Sequence, residues 1–511
     1  MENVSGAWAP YAAKIKPEAL IEFELIDVDA AKLAGAAVSV ETAEFASLEQ
    51  SYDEITQMSR KVATLEPDYW ALDSTFTLPK KDGPNGETGW WSKALSGADG
   101  SFTLAPMLTF TFSEPQYSDG FTVVFDNKSG EVGSDFIIET YSGATLLASA
   151  EVSGNRQAVR VVDCPSAGYD KLIVTFSKTA KPYRRLRICE VVFGYLQQFD
   201  ADKIVSMKVT KETSLYMQSL AAGKLAVTID NSDKAYNVLN PEGIYKFLQQ
   251  GQGINSRLVL NGESVNTGRF YFDNATANDD ALTATINAYD LIYRLDQAEC
   301  NIGASGTWMV SEAVAAVIAD SGIDLAVDIP PEIGARVVRK CIPQGTTHRE
   351  ALRLIAQAGM CHIFIDRLDR LAARDLDFGQ SVDMLAGNNM TTWGDAKDTG
   401  LINVVEIEAA DEYSEAEALK FTATNRKAGE PLKVLSLNNP LVNAQAAAEW
   451  ILGLLGHRNQ YSAVSMGNPA RDLGDCVSIA NVYGGQDPAV VIKQETTFNG
   501  SLLDKVTAYG G

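Results

Sequence analysis

Hydrophobic and polar positions fall into their clearest order between Ile204 and Leu295. Leu225, Val227 and Ile229 alternate with Ala226, Thr228 and Asp230, a period of two that predicts a half-buried strand. Asp230-Asn231-Ser232-Asp233 follows, and its short polar side chains favour a turn because they bond their own backbone. Tyr236, Tyr245, Phe247 and Leu248 supply apolar anchors around an Asn240-Pro241 turn and a short tyrosine-containing helix. A Gly251-Gln252-Gly253 break precedes a second strand over 257–260, and a third strand over 282–288 ends at Tyr289-Asp290. Upstream, residues 14–40 carry two more strand candidates, KPEALIEFELIDV and AAVSVETAEF. An isolated hairpin buries too little to stand alone, so these strands are expected to join the sheet that begins at Ile204. The block between them is then an insertion, which a fold tolerates where the ends of the host chain lie close.

The block 69–194 has its own rhythm. Short strands are predicted over 108–112, 121–125, 135–140, 145–151, 158–162, 171–176 and 187–193, with turns at Ser129-Gly130 and Ser153-Gly154-Asn155. Many short strands at regular spacing predict a sandwich or jelly roll.

From 307 the period changes to that of a helix. Val310, Val314, Val317 and Ile318 share a face, Ser311 is a candidate cap and Gly322 a stop. A second helix has Thr346 or Thr347 as its cap, Glu350 in capping-box position, Leu352, Ile355 and Ala356 facing inward, and Gly359 at its end. A strand over 361–365 completes a small α/β layer. After a polar connection come strands over 402–407, 418–423 and 431–437. Asn438-Asn439-Pro440 then leads into a helix with Ala444, Ala447, Trp450, Ile451, Leu454 and Leu455 mainly on one side, stopped by Gly456. A strand over 461–466, an Asn468-Pro469 turn, Leu473-Gly474-Asp475, a strand over 476–481 and a hairpin across Asn499-Gly500 end the chain.

The order of these elements resembles phage tail baseplate hub proteins. The alternating strand, Asp-Asn turn, Asn-Pro segment, Gly-x-Gly and the ending YDLIYRLD look like the first hub barrel. EALRLIAQAG is similar to a helix of the small middle domain, and the Asn-Pro-led helix followed by NPARDLGD resembles the second barrel. The inserted block resembles a discoidin-type galactose-binding domain, through its Trp-containing Gly-rich approach, the strand LTFTF and the closing RRLRICEVVFG. The resemblance implies a mainly β fold with a small α/β part: two hub-type β-barrels, one interrupted by a β-sandwich (jelly-roll) insertion. The expected domains are 1–68 plus 195–300 (first barrel), 69–194 (insertion), 301–398 (α/β) and 399–511 (second barrel).

Composition narrows the chemistry. A length of 511 residues suits about three or four domains. The net charge of −23 disfavours general binding of a phosphate backbone. No apolar run reaches the length of a membrane-spanning helix, and the N-terminus lacks a secretory apolar core. The six cysteines, at positions 164, 189, 300, 341, 361 and 476, form no CxxC pair. They read as buried thiols, with a Cys164–Cys189 bridge as the alternative. His348 reads as a solvated residue at a helix start. Cys361 and His362 are adjacent, and on a strand they face opposite ways. His457 sits near a helix C-terminus, where the dipole favours it. GxSxG, HExxH and a phosphate loop are absent from the sequence. Carboxylates such as Glu18, Glu22 and Glu24, or Asp366 and Asp369, read as solvated faces, and the spacing of Asp230 and Asp233 is not that of an EF-hand. Catalytic residues, metal ligands and cofactors are therefore not expected.

The insertion offers the remaining binding candidates. Trp90 or Trp91 could stack on a sugar ring, with Tyr117 and Arg184 among the polar contacts. Adjacent strand residues face opposite ways, so one of the two tryptophans is expected in the core. The basic run 183–187 reads as a solvated edge or a docking patch.

The hub resemblance implies a structural virion protein, assembled in the bacterial host cytoplasm. It implies a homotrimer whose paired barrels form a pseudo-sixfold ring. That ring would meet a tail tube or distal tail protein on one side and a spike, fibre or tape-measure protein on the other, with DNA passing through unbound. The alternative is an adhesion protein that binds a surface glycan through the insertion. A glycan-cutting enzyme is disfavoured by the missing catalytic signature.

Overall fold

A computed structural model describes residues 89–126, 131–199, 203–237, 250–260, 263–302, 306–387, 389–410 and 418–511, with short stretches among 18–26, 37–40, 61–77 and 239–248. Tyr245 and Phe247 lie outside the described residues. The protein is mainly β, with a few helices. It forms two compact units, Met1–Ile21 with Phe199–Gly511, and Glu22–Gln198.

In the larger unit the predicted alternation is realised. Lys224–Asp230 buries Leu225, Val227 and Ile229 completely and leaves the intervening residues half-exposed. It pairs on one side with Ile204–Glu212 and on the other with Thr283–Tyr289. The turn after it closes as expected: the Ser232 amide donates to Asp230 at 3.1 Å and the Tyr236 amide to Asn231 at 3.0 Å. Glu18–Ile26 takes its place beside Gly253–Leu260 in the same sheet. The long strand Glu263–Asn278, between Gly253–Leu260 and Thr283–Tyr289, is not foreseen by the pattern. Its sequence is rich in Asn, Thr and Asp, which propensity assigns to turns. Pairing on both edges overrides that preference, and Val265, Phe270 and Phe272 anchor its buried side.

The last hairpin joins this sheet. Gln486–Phe498 pairs with Ile204–Glu212, in a register that sets Met207 opposite Phe498 and Glu212 opposite Lys493. Order then runs through Leu502–Gly510 and Asn459–Met466 to Met390–Asp398. Cys476–Ala480 pairs with Gln486–Phe498 and, in parallel, with Asp383–Leu385. The two ends of this ladder are thus consecutive strands of the chain, Asp383–Leu385 and Met390–Asp398. The sheet rolls around Leu385, Tyr461, Val477, Ile479, Val491 and Val506. Among the described residues no pairing joins those two ends, so the described unit is a rolled sheet and not a ring of hydrogen bonds.

The helices share a different core. Val310–Ser321 begins without Ser311 as its cap: the Glu312 carboxylate accepts from the Met309 amide at 3.0 Å, and Ser311 donates to the Gly334 carbonyl. His348–Ala358 has the expected Thr347 cap, which accepts from the Glu350 amide at 3.2 Å. Both helices bury their apolar faces with Val405, Ile407, Leu441, Ala447 and Ile451. The three-stranded sheet of Val404–Ala409, Leu419–Thr424 and Val434–Asn438, and the helix Ala446–Leu454, therefore belong to the α/β core. Met390–Asp398 belongs to the rolled sheet. The cores do not divide at the expected boundary of 398.

The smaller unit is a β-sandwich built from longer strands than expected. Segments 108–112 and 121–125 are one strand, Met107–Phe125, and 158–162 and 171–176 are one strand, Val159–Thr179. Their mutual register shifts between Thr111 and Gly120. Such bulges bend a strand, and the halves on either side, with Phe110 and Phe112 before and Phe121 and Phe125 after, line one core. Ala37–Val40 pairs with Met107–Phe125 and not with the strands from Ile204. The sandwich thus recruits chain from before residue 69. All six cysteines are buried thiols, Cys164 and Cys189 in separate clusters.

Candidate functional site

The segment Asn468–Asp475, NPARDLGD, makes a dense polar junction in the larger unit. Locally the loop folds on its own side chains. Asn468 accepts from the Ala470 amide at 3.1 Å, and Asp475 accepts from the Asp472 amide at 2.8 Å. Gly474 adopts φ +77°, a conformation that side chains resist. Its amide then donates to the Val491 carbonyl at 2.7 Å, and the Val491 amide returns a bond to Asp475.

Two buried arginines fasten this loop. Arg471, 1% exposed, donates through Nε and Nη2 to Asp383 at 2.9 and 2.6 Å and through Nη1 to Asp504 at 3.1 Å. Asp504, fully buried, also accepts from Gln494, Thr496 and the Asn468 amide. Arg367 donates to Asp472 at 3.2 Å and to the carbonyls of Asn266, Pro469 and Arg471. The junction therefore ties the long strand Glu263–Asn278, the α/β part and the rolled sheet together. Arg374 reaches Asp475 at 3.3 Å, and the buried Lys211 ammonium lies 3.6 Å from Asp472.

The electrostatics follow from this packing. Burial would raise the Asp472 carboxyl, but Lys211, Arg367 and Arg374 together hold it well below the usual carboxylate range. Burial lowers the Lys211 ammonium. A cavity of about 20 Å³ lined by Lys211, Thr267, Arg367 and Gln494 adjoins it, room for roughly one water. Asp290, whose two oxygens accept from the Gly223 and Ile292 amides, is pushed up to about 7 by burial. Asp369, expected in solvent, is instead largely buried, bonded by Tyr271 and raised to about 6 by burial. The carboxylates of the loop each face a cation, and the junction presents no nucleophile beside a base. Its chemistry is that of a clamp.

Three of the four candidate sugar contacts are buried. Trp90 and Trp91, on a short strand paired with Arg187–Val192, face opposite ways, and both are buried. Trp90 joins the sandwich core, while Trp91 packs with Val124, Cys189 and Leu196. One tryptophan is expected in the core; both are interior, because both faces of this strand are covered. Arg187 lies over Trp91 at 4.4 Å and over Tyr69 at 4.2 Å, and pairs with Glu66. Arg184 is also buried, bonded to Glu131 at 3.2 Å and to the carbonyls of Pro67 and Asp68. Only Tyr117 of the four is exposed, and its hydroxyl donates to Asp119.

One cluster has no signature in the sequence. Cys300, Asp320 and His348 bring their ligand atoms within 4.8 Å of one another. They come from the segment after the Glu299–Thr347 bridge, the end of Val310–Ser321 and the start of His348–Ala358. His348, expected in solvent, is 3% exposed. Its Nδ1 lies 3.0 Å from the Ala298 carbonyl and its Nε2 3.0 Å from Asp320. Separations of 20 and 28 positions fit no ligand motif, so only the fold reveals the group. Elsewhere, His362 bonds the Leu215 carbonyl at 3.0 Å and is lowered to about 4 by burial.

No protein-family model matches the sequence, and no curated protein matches it. Among solved structures, the chain is similar to the 43 kDa tail protein of prophage MuSo2 from Shewanella oneidensis, with 15% identity and a TM-score of 0.44 over 61% of this chain and 95% of that one. It is similar to the tail protein of Neisseria meningitidis MC58, with 12% identity and a TM-score of 0.46 over 61% and 93% of the two chains. A third similarity is to the family 32 carbohydrate-binding module of NanJ from C. perfringens, solved with galactose: 12% identity and a TM-score of 0.22 over 34% of this chain and 99% of that one.

Proposed function

We propose that this protein is a structural, non-catalytic component of a phage or prophage tail, the baseplate hub, which forms a trimeric ring between the tail tube and the tail tip. The observation that carries the reading is the pairing of Ile204–Glu212 with Gln486–Phe498. It makes one continuous sheet of the stretch that resembles the first hub barrel and the rolled sheet that resembles the second. Two such surfaces side by side in one chain let three copies present six similar faces to a hexameric tube. The clamp at Asn468–Asp475 supports this reading, since it fixes the rolled sheet to the α/β part without any catalytic constellation. The net charge of −23 suits a wall past which DNA slides without sticking.

In this reading the partners are two further copies of the chain, a tail tube or distal tail protein, and a spike, fibre or tape-measure protein, all within the virion. The test is the mass of the full chain in solution by native mass spectrometry, alone and mixed with the tube protein of the same tail, with negative-stain images. A trimeric ring that caps the tube is the expected result. A chain that stays monomeric and never joins the tube overturns the proposal.

A further inference from the structure

We propose that Cys300, Asp320 and His348 form a binding site for one divalent transition-metal ion of the zinc class, acting as a staple within the α/β core. The thiol, carboxylate and imidazole together are a donor set such an ion takes. Their ligand atoms lie within 4.8 Å of one another. A tetrahedral ion with bonds of about 2.0–2.3 Å spaces its ligands roughly 3.3–3.8 Å apart, so small side-chain rotations close the site.

The surroundings orient the donors. The Ala298 carbonyl, 3.0 Å from Nδ1, accepts the Nδ1–H of His348 and thereby fixes the tautomer whose Nε2 lone pair faces the cluster. The Asn301 amide donates to Asp320 Oδ2 at 2.8 Å and holds that carboxylate in place. Nε2 and Oδ2 then meet at 3.0 Å as two acceptors. Something positive must lie between them, either a proton or a metal ion. Without a metal ion, protons serve the cluster: one between His348 and Asp320, and that of the Cys300 thiol, which burial pushes up and which bonds the same carboxylate. A divalent ion would displace these protons and take all three donors at once. Thiolate and carboxylate balance the charge of a divalent ion around a neutral imidazole. Cys300 and His348 are buried, while the Asp320 side chain is 28% exposed, which leaves a solvent side for a fourth ligand such as water.

The mechanical consequence is specific. The ion would bond the end of Val310–Ser321 to the start of His348–Ala358 and to the segment before residue 302. Binding to the folded chain alone would stabilise it by mass action.

The experiment titrates the full-length chain, stripped with a chelator and exchanged into metal-free buffer, with Co²⁺. One Co²⁺ per chain with a thiolate-to-cobalt charge-transfer band, displaced by Zn²⁺, is expected. Cys300→Ser should abolish the band, and Asp320→Asn and His348→Gln should each weaken Co²⁺ binding more than tenfold. Near-UV circular dichroism identifies any variant that has lost its fold, and the remaining variants carry the test. Wild-type protein that takes up no stoichiometric Co²⁺, or a thiolate band that survives in folded Cys300→Ser, overturns the proposal. The first of those outcomes would assign the cluster to hydrogen bonding among the three side chains.

Discussion

The guanidinium of Arg367 donates to the carboxylate of Asp472 at 3.2 Å, across 105 positions of sequence. Both side chains are buried, at 7% and 10% exposure, so neither charge is left to water. Arg367 follows the strand His362–Ile365, and Asp472 lies in the loop before Cys476–Ala480.

Removing either partner unbalances a buried charge network in which Asp472 also faces Lys211 and Arg374. Arg367→Ala or Asp472→Ala should each cost about 3–5 kcal/mol. Arg367→Ala with Asp472→Ala should cost less than the sum of the two single losses, because the two charges are coupled, while Lys211 still loses its carboxylate. Urea midpoints of the two single variants and the double variant check this, and strictly additive losses would count against coupling.

Gly474 is held at φ +77°, where an added Cβ would meet the Arg374 Cδ at 2.7 Å. Gly474→Ala should therefore destabilise the larger unit by about 1–3 kcal/mol through backbone strain, and should displace Arg374 from Asp475 as well. Gly484, at φ +83° with nothing near its Cβ position, provides the comparison. Gly484→Ala should cost only about 1 kcal/mol. Thermal unfolding of both variants separates strain from collision.

Asp290 and His362 should give opposed pH dependences. Asp290 is raised from 3.8 to about 7, so its contribution to stability is complete below pH 3.8 and is lost as pH rises through 7. His362 is lowered from 6.5 to about 4, so its contribution is complete above pH 6.5 and is lost as pH falls through 4. In wild type the two partly cancel. His362→Gln should leave a stability that declines more steeply between pH 4 and 7, and Asp290→Asn one that rises there, by on the order of a few kcal/mol. Unfolding midpoints across that range read both slopes.

Trp90→Ala and Trp91→Ala should behave as core truncations. Each removes a fully buried indole, at a cost of about 3–5 kcal/mol. Tyr117→Ala, at a residue 53% exposed, should change stability by less than about 1 kcal/mol. Calorimetry of the full chain checks the contrast. A tryptophan variant with unchanged unfolding would mean that its ring is not in the core.

Local patterns announced local structure. The alternation of Leu225, Val227 and Ile229 announced a strand, the Thr347 and Glu350 spacing announced a helix start, and Asn499-Gly500 announced the final hairpin. Each rests on contacts between near neighbours, and near neighbours are visible in a linear text. The Asn-rich strand Glu263–Asn278 was invisible because its stability comes from partners on both edges. The candidate site was legible only as a motif, NPARDLGD, without the cations that hold it.

By itself, then, the sequence determined the mainly β class, the helix caps, the turns and the acidic character of the chain. Tertiary structure alone decided that Trp90 and Trp91 are both interior, that Ala37–Val40 serves the sandwich, and that Met390–Asp398 forms an end of the rolled sheet. It also decided that His348 meets Cys300 and Asp320. The physical reason is common to all four. Burial and charge pairing depend on which distant segments share an edge or a core, and spacing along the chain does not record that choice.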